Sequence, residues 1–207
     1  MESLLFWSAA LVTKIIAKIG YWGIMFLMAV ESSFIPFPSE IVIPPAAYLA
    51  HQGKMNIYLV VLVGIIGSLL GALVNYFLAY TLGRKIIYSL TQTKLAKVLL
   101  INQAKIEKAE KYFLNYGNLS TFVSRLIPAI RQLISLPAGF SRMNLGSFLF
   151  YTFLGSGIWV SILAALGYYF GANQELFNGY YQQISWLLII VAAIIVLGLI
   201  IKKMIKK

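Results

Sequence analysis

Four ionisable side chains lie inside otherwise apolar sequence, namely Glu31, Glu40, Arg125 and Arg131. Each would cost roughly 3 kcal/mol or more if it were left unpaired inside a membrane. The two arginines offer forked donors that match phosphate oxygens, and the two carboxylates can bind a cation when an anionic ligand leaves. We therefore expect the four groups to face one another, water or substrate. The alternative is that they neutralise one another as buried ion pairs with a structural role.

All six prolines of the chain fall in two short stretches around these charges. The stretches read PFPSEIVIPP (36–45) and PAIRQLISLP (128–137). Proline interrupts a helix, and broken helices inside a membrane are tolerated where they line a polar cavity. We interpret each stretch as a re-entrant helical hairpin, and its breakers are Pro36, Pro38, Pro128 and Pro137. Ser39 and Gln132 lie within these stretches, where they either bind the ligand or satisfy the broken backbone.

The composition predicts an all-α integral membrane protein that forms a single membrane domain over residues 1–207. Hydrophobic residues make up 60% of the chain and charged residues 11%, which does not suit a soluble globule. Charge-free runs cover residues 55–83, 143–174 and 176–201, and each exceeds the roughly 20 residues that a spanning helix needs. We place the C-terminal transmembrane helix at 184–201. The N-terminal stretch has no cleavable leader pattern, so we expect it to be retained.

The basic residues indicate the topology. Seven of them lie between Arg84 and Lys111, and four more form the C-terminal tail. By the positive-inside rule both regions should be cytoplasmic. The segment 84–111 is predicted to be an amphipathic basic connector on the inner leaflet, or else an ordinary solvated connector. The net charge of +11 is thereby explained without nucleic-acid binding.

An internal repeat relates the two proline stretches. A shift of 92 positions places Pro36 on Pro128 and Ala46 on Ala138, and a shift of 88 places the pair Gly67-Ser68 on the pair Gly155-Ser156. We take repeat one as 19–83 and repeat two as 112–171. With the connector inside, the first hairpin enters from outside and the second from inside. Several transmembrane helices around two opposed re-entrant hairpins are typical of inverted-repeat transporters.

The signatures ESSFIPFPSE (31–40), SRLIPAIR (124–131) and PAG (137–139) resemble those of the DedA family, which is also described by its VTT domain. The resemblance covers roughly residues 19–170. It implies opposed re-entrant hairpins, dependence on a proton or sodium gradient, and lipid transport, which in some bacterial members is the return of undecaprenyl phosphate. It also places Glu31, Glu40, Arg125 and Arg131 at the family's important acidic and basic positions. Some members carry the second acid as an aspartate further along, whereas this chain contains no aspartate.

These observations predict a multi-pass transporter of the bacterial inner (cytoplasmic) membrane with a cytoplasmic C-terminus. Its partners would be a polyprenyl phosphate or phospholipid, a proton or sodium ion, and the surrounding membrane lipids. Arg125, Arg131, Gln132 and Ser39 would bind substrate, and Glu31 and Glu40 would couple a cation. Two other functions are a broader phospholipid scramblase and a lipid phosphatase. The phosphatase is disfavoured because the chain has no cysteine, one histidine and no metal-ligand pattern, so we predict no catalytic residues, metal or cofactor. Inverted-repeat transporters are often dimers, so we also expect this protein to form a homodimer.

Overall fold

The computed structural model describes residues 16, 18–33, 39–83, 103–128 and 130–170, together with eight separate positions between 173 and 194. Their regular structure is entirely helical, and these residues contain no strand. In chain order the elements are α1 (Tyr21–Glu31), a 3₁₀ turn (Ser39–Ile41), α2 (Ile43–His51), α3 (Ile57–Leu78) with a π-helical extension (Ala79–Gly83), α4 (Gln103–Arg125), α5 (Ser135–Phe140) and α6 (Leu145–Phe170).

Among the described residues, two helices are long and apolar enough to cross a membrane, α3 with its extension and α6. Both begin at an asparagine cap. Asn56 Oδ1 accepts hydrogen bonds from the backbone N–H groups of Tyr58 and Leu59, and Asn144 Oδ1 accepts one from Ser147. Such caps satisfy donors that a helix start otherwise leaves without partners. Both predicted spans are therefore present as helices.

The outer faces of α3 and α6 carry large exposed apolar side chains. Phe77 and Leu62 on α3 and Phe150 and Phe153 on α6 are each close to half exposed or more. A water-soluble monomer rarely presents so much contiguous apolar surface, whereas a bilayer requires it. The polar side chains described below instead lie on the inner faces of the same helices.

The other helices pack onto α3 and α6, in part across the two halves of the chain. Helix α1 packs along α3 and α4 packs along α6, so each precedes the long helix that it contacts. Helix α2 instead packs on α6, and α5 packs on α3 and its extension. Helix α3 also packs against α2 and against α6, so both long helices contact helices from both halves of the chain. The 3₁₀ turn before α2 and the turn between α4 and α5 contact each other through side chains of the site described below.

Glycines make these close contacts feasible. A Cβ at Gly67 would collide with the carbonyl oxygen of Met25 in α1, and one at Gly167 would collide with the backbone of Pro44 in α2. Small residues let helix backbones approach closely where apolar lipid supplies no hydrophobic driving force between helices. Pro44 itself lies in the first turn of α2, where the missing N–H costs no helical hydrogen bond.

Replacing Gly155 by alanine should destabilise the protein, whereas the same change at Gly157 should not. A Cβ at Gly155 would overlap Arg125 Cβ, while one at Gly157 would meet its nearest neighbour, Ile65 Cδ1, at an ordinary 3.6 Å. Overpacking typically costs about 1–3 kcal/mol, and glycine to alanine in an open helical position gains up to about 1 kcal/mol. Thermal melting of the two variants in detergent checks this. Equal melting temperatures would contradict the close contact between α4 and α6.

Some predictions fall outside the described residues. These are the first part of the connector (84–102), the two breakers Pro36 and Pro38, and almost all of the C-terminal helix at 184–201, of which only Trp186, Leu187, Ile190 and Ile194 are described, as exposed helical residues. From residue 103 onward the connector is helical. It continues without a break into repeat two as α4, which ends at Arg125.

Candidate functional site

Glu31 is the last residue of α1 and is buried where that helix meets the second half of the chain. Its Oε1 lies 2.5 Å from Nη2 of Arg131, with both side chains at most 8% exposed. Ser32 Oγ donates to Oε2 at 2.9 Å, and Gln132 Nε2 approaches Oε1 at 3.5 Å. The carboxylate is therefore held by one ionic and two neutral donors, as a buried charge requires.

Arg131 lies in the turn between α4 and α5 and contacts three further groups. Its Nη2 donates to Ser39 Oγ at 2.6 Å, and the guanidinium carbon lies 5.2 Å from the ring centre of Trp159. Glu40 is a more distant partner, at 3.9 Å from Nη2 and with 17% of its side chain exposed. Arg131 thus contacts α1, the 3₁₀ turn and α6 at once.

Arg125, at the C-terminal end of α4, is 2% exposed. Its Nη2 donates to Ser135 Oγ at the start of α5, at 2.8 Å. Within the described part of the chain, no carboxylate lies within 4.0 Å of its guanidinium, and neither its Nε nor that of Arg131 has an acceptor. A buried guanidinium with a single neutral partner is costly, so this arrangement favours an anion.

Both arginines and Glu31 line one small cavity of about 10 Å³, which is the size of a single water site. The remaining lining residues are Ser32, Ser68, Ser156, Trp159 and Val160. The ionisable groups on this wall are two arginines and one glutamate, so the wall carries one net positive charge. The hydroxyls of Ser68 and Ser156 add neutral donors, whereas Ser32 already donates to Glu31. The cavity can therefore receive an oxyanion, although its present size admits only one oxygen atom.

Asn75 on α3 connects the two halves of the chain. Its Nδ2 donates to the backbone oxygen of Ser32 at 3.1 Å and approaches that of Gln132 at 3.5 Å. Both carbonyls belong to non-helical segments that follow a helix end, where intrahelical partners are lacking. This amide on α3 therefore joins the C-terminal end of α1 to the turn between α4 and α5.

Replacing Asn75 by leucine should lower stability by about 1–3 kcal/mol, because two buried carbonyl groups lose their donor. We expect a lower melting temperature in detergent and reduced yield of folded protein. Asn173, an exposed residue whose side chain accepts a hydrogen bond from the Leu176 backbone, is the matched control. If Asn75→Leu and Asn173→Leu melt alike, the amide does not connect the two segments.

The structure brings the sequence-predicted site residues together. Glu31, Glu40, Ser39 and Gln132 all lie within 4 Å of another member of the set through the contacts above, and Arg125 shares the cavity. Ser39 and Gln132 bond to protein groups here. Of the described breakers, Pro128 lies in the turn after α4. Pro137 is the third residue of α5, in its first turn, where its missing N–H costs no helical hydrogen bond.

Several site residues escaped the sequence reasoning, namely Trp159, Asn75, Ser135, Ser68 and Ser156. The last two did leave a signal, because they are the serines of the repeated Gly-Ser pairs and both line the cavity. A single tryptophan or asparagine in an apolar run belongs to no repeat or motif that would identify it as a site residue. Among the described residues there is also no group of three His, Cys, Asp or Glu side chains that could hold a metal ion.

The lipid-facing helices and the buried ionic cluster define the class, a helical membrane protein with a polar centre. Residues 37–169 match the VTT domain, so the chain belongs to the VTT-domain (DedA) family. It is 37% identical over 191 residues to an "Alkaline phosphatase-like protein" of Lactococcus lactis subsp. cremoris, covering 92% of this chain and 89% of the relative.

Two more distant relatives carry other names. The chain is 28% identical to "Undecaprenyl phosphate transporter A" of Staphylococcus aureus, with 89% of this chain and 92% of the relative covered. It is 24% identical to "Protein DedA" of Escherichia coli, with 76% and 73% covered. No solved structure matches the chain significantly.

Proposed function

We propose that this protein moves an anionic lipid, with undecaprenyl phosphate as the first candidate, across the cytoplasmic membrane. The observation that carries the proposal is the buried cavity whose wall holds Arg125 and Arg131 against a single carboxylate, Glu31. An apolar surface around a positively charged centre suits a lipid whose tail stays in the bilayer while its phosphate crosses through protein. The relative named as an undecaprenyl phosphate transporter supports the same substrate.

The phosphate would bind where Glu31 now lies. Arginine forks bind phosphate oxygens in the geometry in which they bind carboxylates, so the headgroup and Glu31 compete for Arg131. Arg125 supplies a second guanidinium, and the serines of the cavity supply neutral donors. Because the cavity holds about one water, the two central segments must separate before a headgroup enters. The described arrangement is then a closed form.

An inverted repeat with opposed re-entrant hairpins would provide such an opening. The packing of α2 on α6 and of α5 on α3, in each case across the two halves of the chain, supports it, as do the matching caps Asn56 and Asn144. Arg131 and Ser39, which occupy equivalent positions 92 residues apart, contact each other directly. A direct contact between equivalent residues of two repeats is expected near a two-fold axis that relates the repeats. Rocking of one half against the other would expose the centre to each side in turn.

Cation coupling would follow from the competition at Arg131. When phosphate replaces Glu31, a carboxylate with a 2% exposed side chain loses its ionic partner. Binding a proton or sodium ion as the anion arrives, rather than as it leaves, then removes the unpaired charge. An inside-negative potential opposes inward movement of an anion. A co-transported proton would offset that charge. We further propose the cytoplasmic side for the basic connector and for the C-terminus, and a homodimer as the assembly.

The test is a reconstituted assay in liposomes with labelled lipids. We expect undecaprenyl phosphate to move at a rate that rises with an imposed pH gradient, and phosphatidylethanolamine to move much more slowly. Equal movement of both lipids without any effect of pH would identify a scramblase instead. Movement of neither would reject transport.

A phosphatase remains the second candidate because of the name of the Lactococcus relative. Arginines could hold a phosphate ester and Glu31 could act as an acid or base. Release of inorganic phosphate from undecaprenyl phosphate by the purified protein would support it. Release that persists in an Arg125→Ala/Arg131→Ala variant would come from a contaminant.

A further inference from the structure

Trp159 lies at the middle of α6 and is one of the largest fully buried side chains in the described part of the chain, at 2% exposure. Its Nε1–H donates to Ser39 Oγ at 3.3 Å. The same hydroxyl accepts a hydrogen bond from Arg131 Nη2 at 2.6 Å, and the guanidinium of Arg131 lies over the indole ring at 5.2 Å. Indole, hydroxyl and guanidinium therefore form a closed triangle.

The three members come from three separate elements, α6, the 3₁₀ turn and the turn between α4 and α5. The indole contact differs in kind from that of Glu31. An aromatic ring attracts a guanidinium without neutralising its charge, so it leaves Arg131 able to bind an anion. A carboxylate neutralises that charge and must be displaced before phosphate can bind.

We propose that Trp159 is a positioning residue that keeps Arg131 in place while its anionic partner changes from Glu31 to the lipid phosphate. The inference rests on the proposed transport of a phosphate-bearing lipid. When Glu31 leaves, Arg131 loses its shortest ionic contact, and its Nε has no acceptor among the described residues. The ring face, Ser39 and the more distant carboxylate of Glu40 then remain to hold the guanidinium at the cavity. A binding group held in advance loses less freedom when its ligand arrives.

The separate contributions of the ring and of the N–H predict an order of effects. Trp159→Leu removes both, whereas Trp159→Phe retains a ring face and loses the hydrogen bond to Ser39. We expect the concentration of undecaprenyl phosphate that gives half-maximal transport to rise about 10-fold in Trp159→Leu and less than about 3-fold in Trp159→Phe. The maximal rate should change less than the half-saturating concentration. Trp22→Leu, on the exposed face of α1 at 72% exposure, is the matched control and should behave as the parent.

A fluorescence measurement keeps the proposal testable if Trp159→Leu does not fold. In a variant with Trp7, Trp22 and Trp186 replaced by phenylalanine, Trp159 is the only tryptophan of the chain. Adding undecaprenyl phosphate in detergent micelles should shift its emission, because the cation beside the ring acquires a new partner. Phosphatidylcholine at the same concentration should leave the emission unchanged.

The results separate this inference from the proposed function. Suppose that the parent protein transports undecaprenyl phosphate. The positioning role is then wrong, while transport stands, if Trp159→Leu has the parental half-saturating concentration. The same conclusion follows if the emission of Trp159 does not change when the lipid is added. If the parent neither binds nor moves the lipid, both fail together. A graded loss from Trp159→Phe to Trp159→Leu, with rescue by the ring alone, supports the role.

Discussion

Arg131→Gln should lower undecaprenyl phosphate transport by about 100-fold or more. Arg131 contacts Glu31 and Ser39 in the closed form, and in our proposal two of its N–H groups bind phosphate oxygens. Hydrogen bonds to charged groups contribute about 1.5–3 kcal/mol each, and 1.4 kcal/mol corresponds to a factor of ten. Initial rates in liposomes with equal amounts of folded protein provide the measurement. Arg131→Lys should also be strongly impaired, because an ammonium keeps the charge but loses the planar fork.

Loss of stability could imitate this result, and the structure supplies a way to separate the two. Removing Arg131 leaves Glu31 buried without its ionic partner, which costs about 3–5 kcal/mol. The double variant Glu31→Gln/Arg131→Gln removes both charges, so it should recover most of the melting temperature of the parent. Transport should stay low in the double variant. Lys54→Gln, which removes an exposed cation that contacts Gln52, is the control for charge loss. Parental transport by the stable double variant would overturn the role of Arg131.

Glu31→Gln should separate lipid binding from coupling. Glutamine resembles the protonated carboxyl and can still accept from Ser32, but it no longer competes with phosphate for Arg131. We expect undecaprenyl phosphate to bind about 10-fold more tightly, since one competing charged contact of about 1.4 kcal/mol or more is removed. Uptake driven by a pH gradient should fall by about 100-fold, because no proton can bind at this position when phosphate arrives. Binding in detergent and pH-driven uptake in liposomes measure the two effects.

Glu40→Gln is the matched comparison. Glu40 lies 3.9 Å from Arg131 with a 17% exposed side chain, whereas Glu31 lies at 2.5 Å with a 2% exposed side chain. Water can stabilise a partly exposed carboxylate after the ion pair separates, so protonation of Glu40 is less strongly required. We expect Glu40→Gln to retain more of the pH response than Glu31→Gln. Full pH-driven uptake by Glu31→Gln would assign coupling elsewhere.

Much of the site was readable from residue types alone. Charged side chains are rare in apolar runs because moving each into a membrane costs a large free energy. Glu31 and Arg131 could therefore be identified as candidate site residues from the sequence. The lengths of α3 and α6 followed from their charge-free runs, and the VTT-domain match bore out the family resemblance. Ser68 and Ser156 belong to the repeated Gly-Ser pairs, but the sequence did not predict their place in the cavity.

Residue types alone could not predict which of the charged side chains pair with one another. The sequence does not distinguish Glu31 from Glu40 as the ionic partner of Arg131. Only the fold decides that Glu31 is the close partner. It also decides that Arg125 donates to a serine hydroxyl instead of a carboxylate. Asn75 and Trp159 were likewise invisible, because an isolated polar or aromatic residue in an apolar helix carries no periodic signal. Their roles depend on which helix faces which.

The sequence by itself determined that this is an apolar, helical protein with charges placed around two proline stretches, because transfer costs and helix breaking act locally along the chain. Only the tertiary structure decided which charges meet. It did so by packing helices from one half of the chain against the long helix of the other half, which brings residues 92 or more positions apart into contact at one buried centre. Contacts over such separations depend on packing between helices, and no local pattern specifies them.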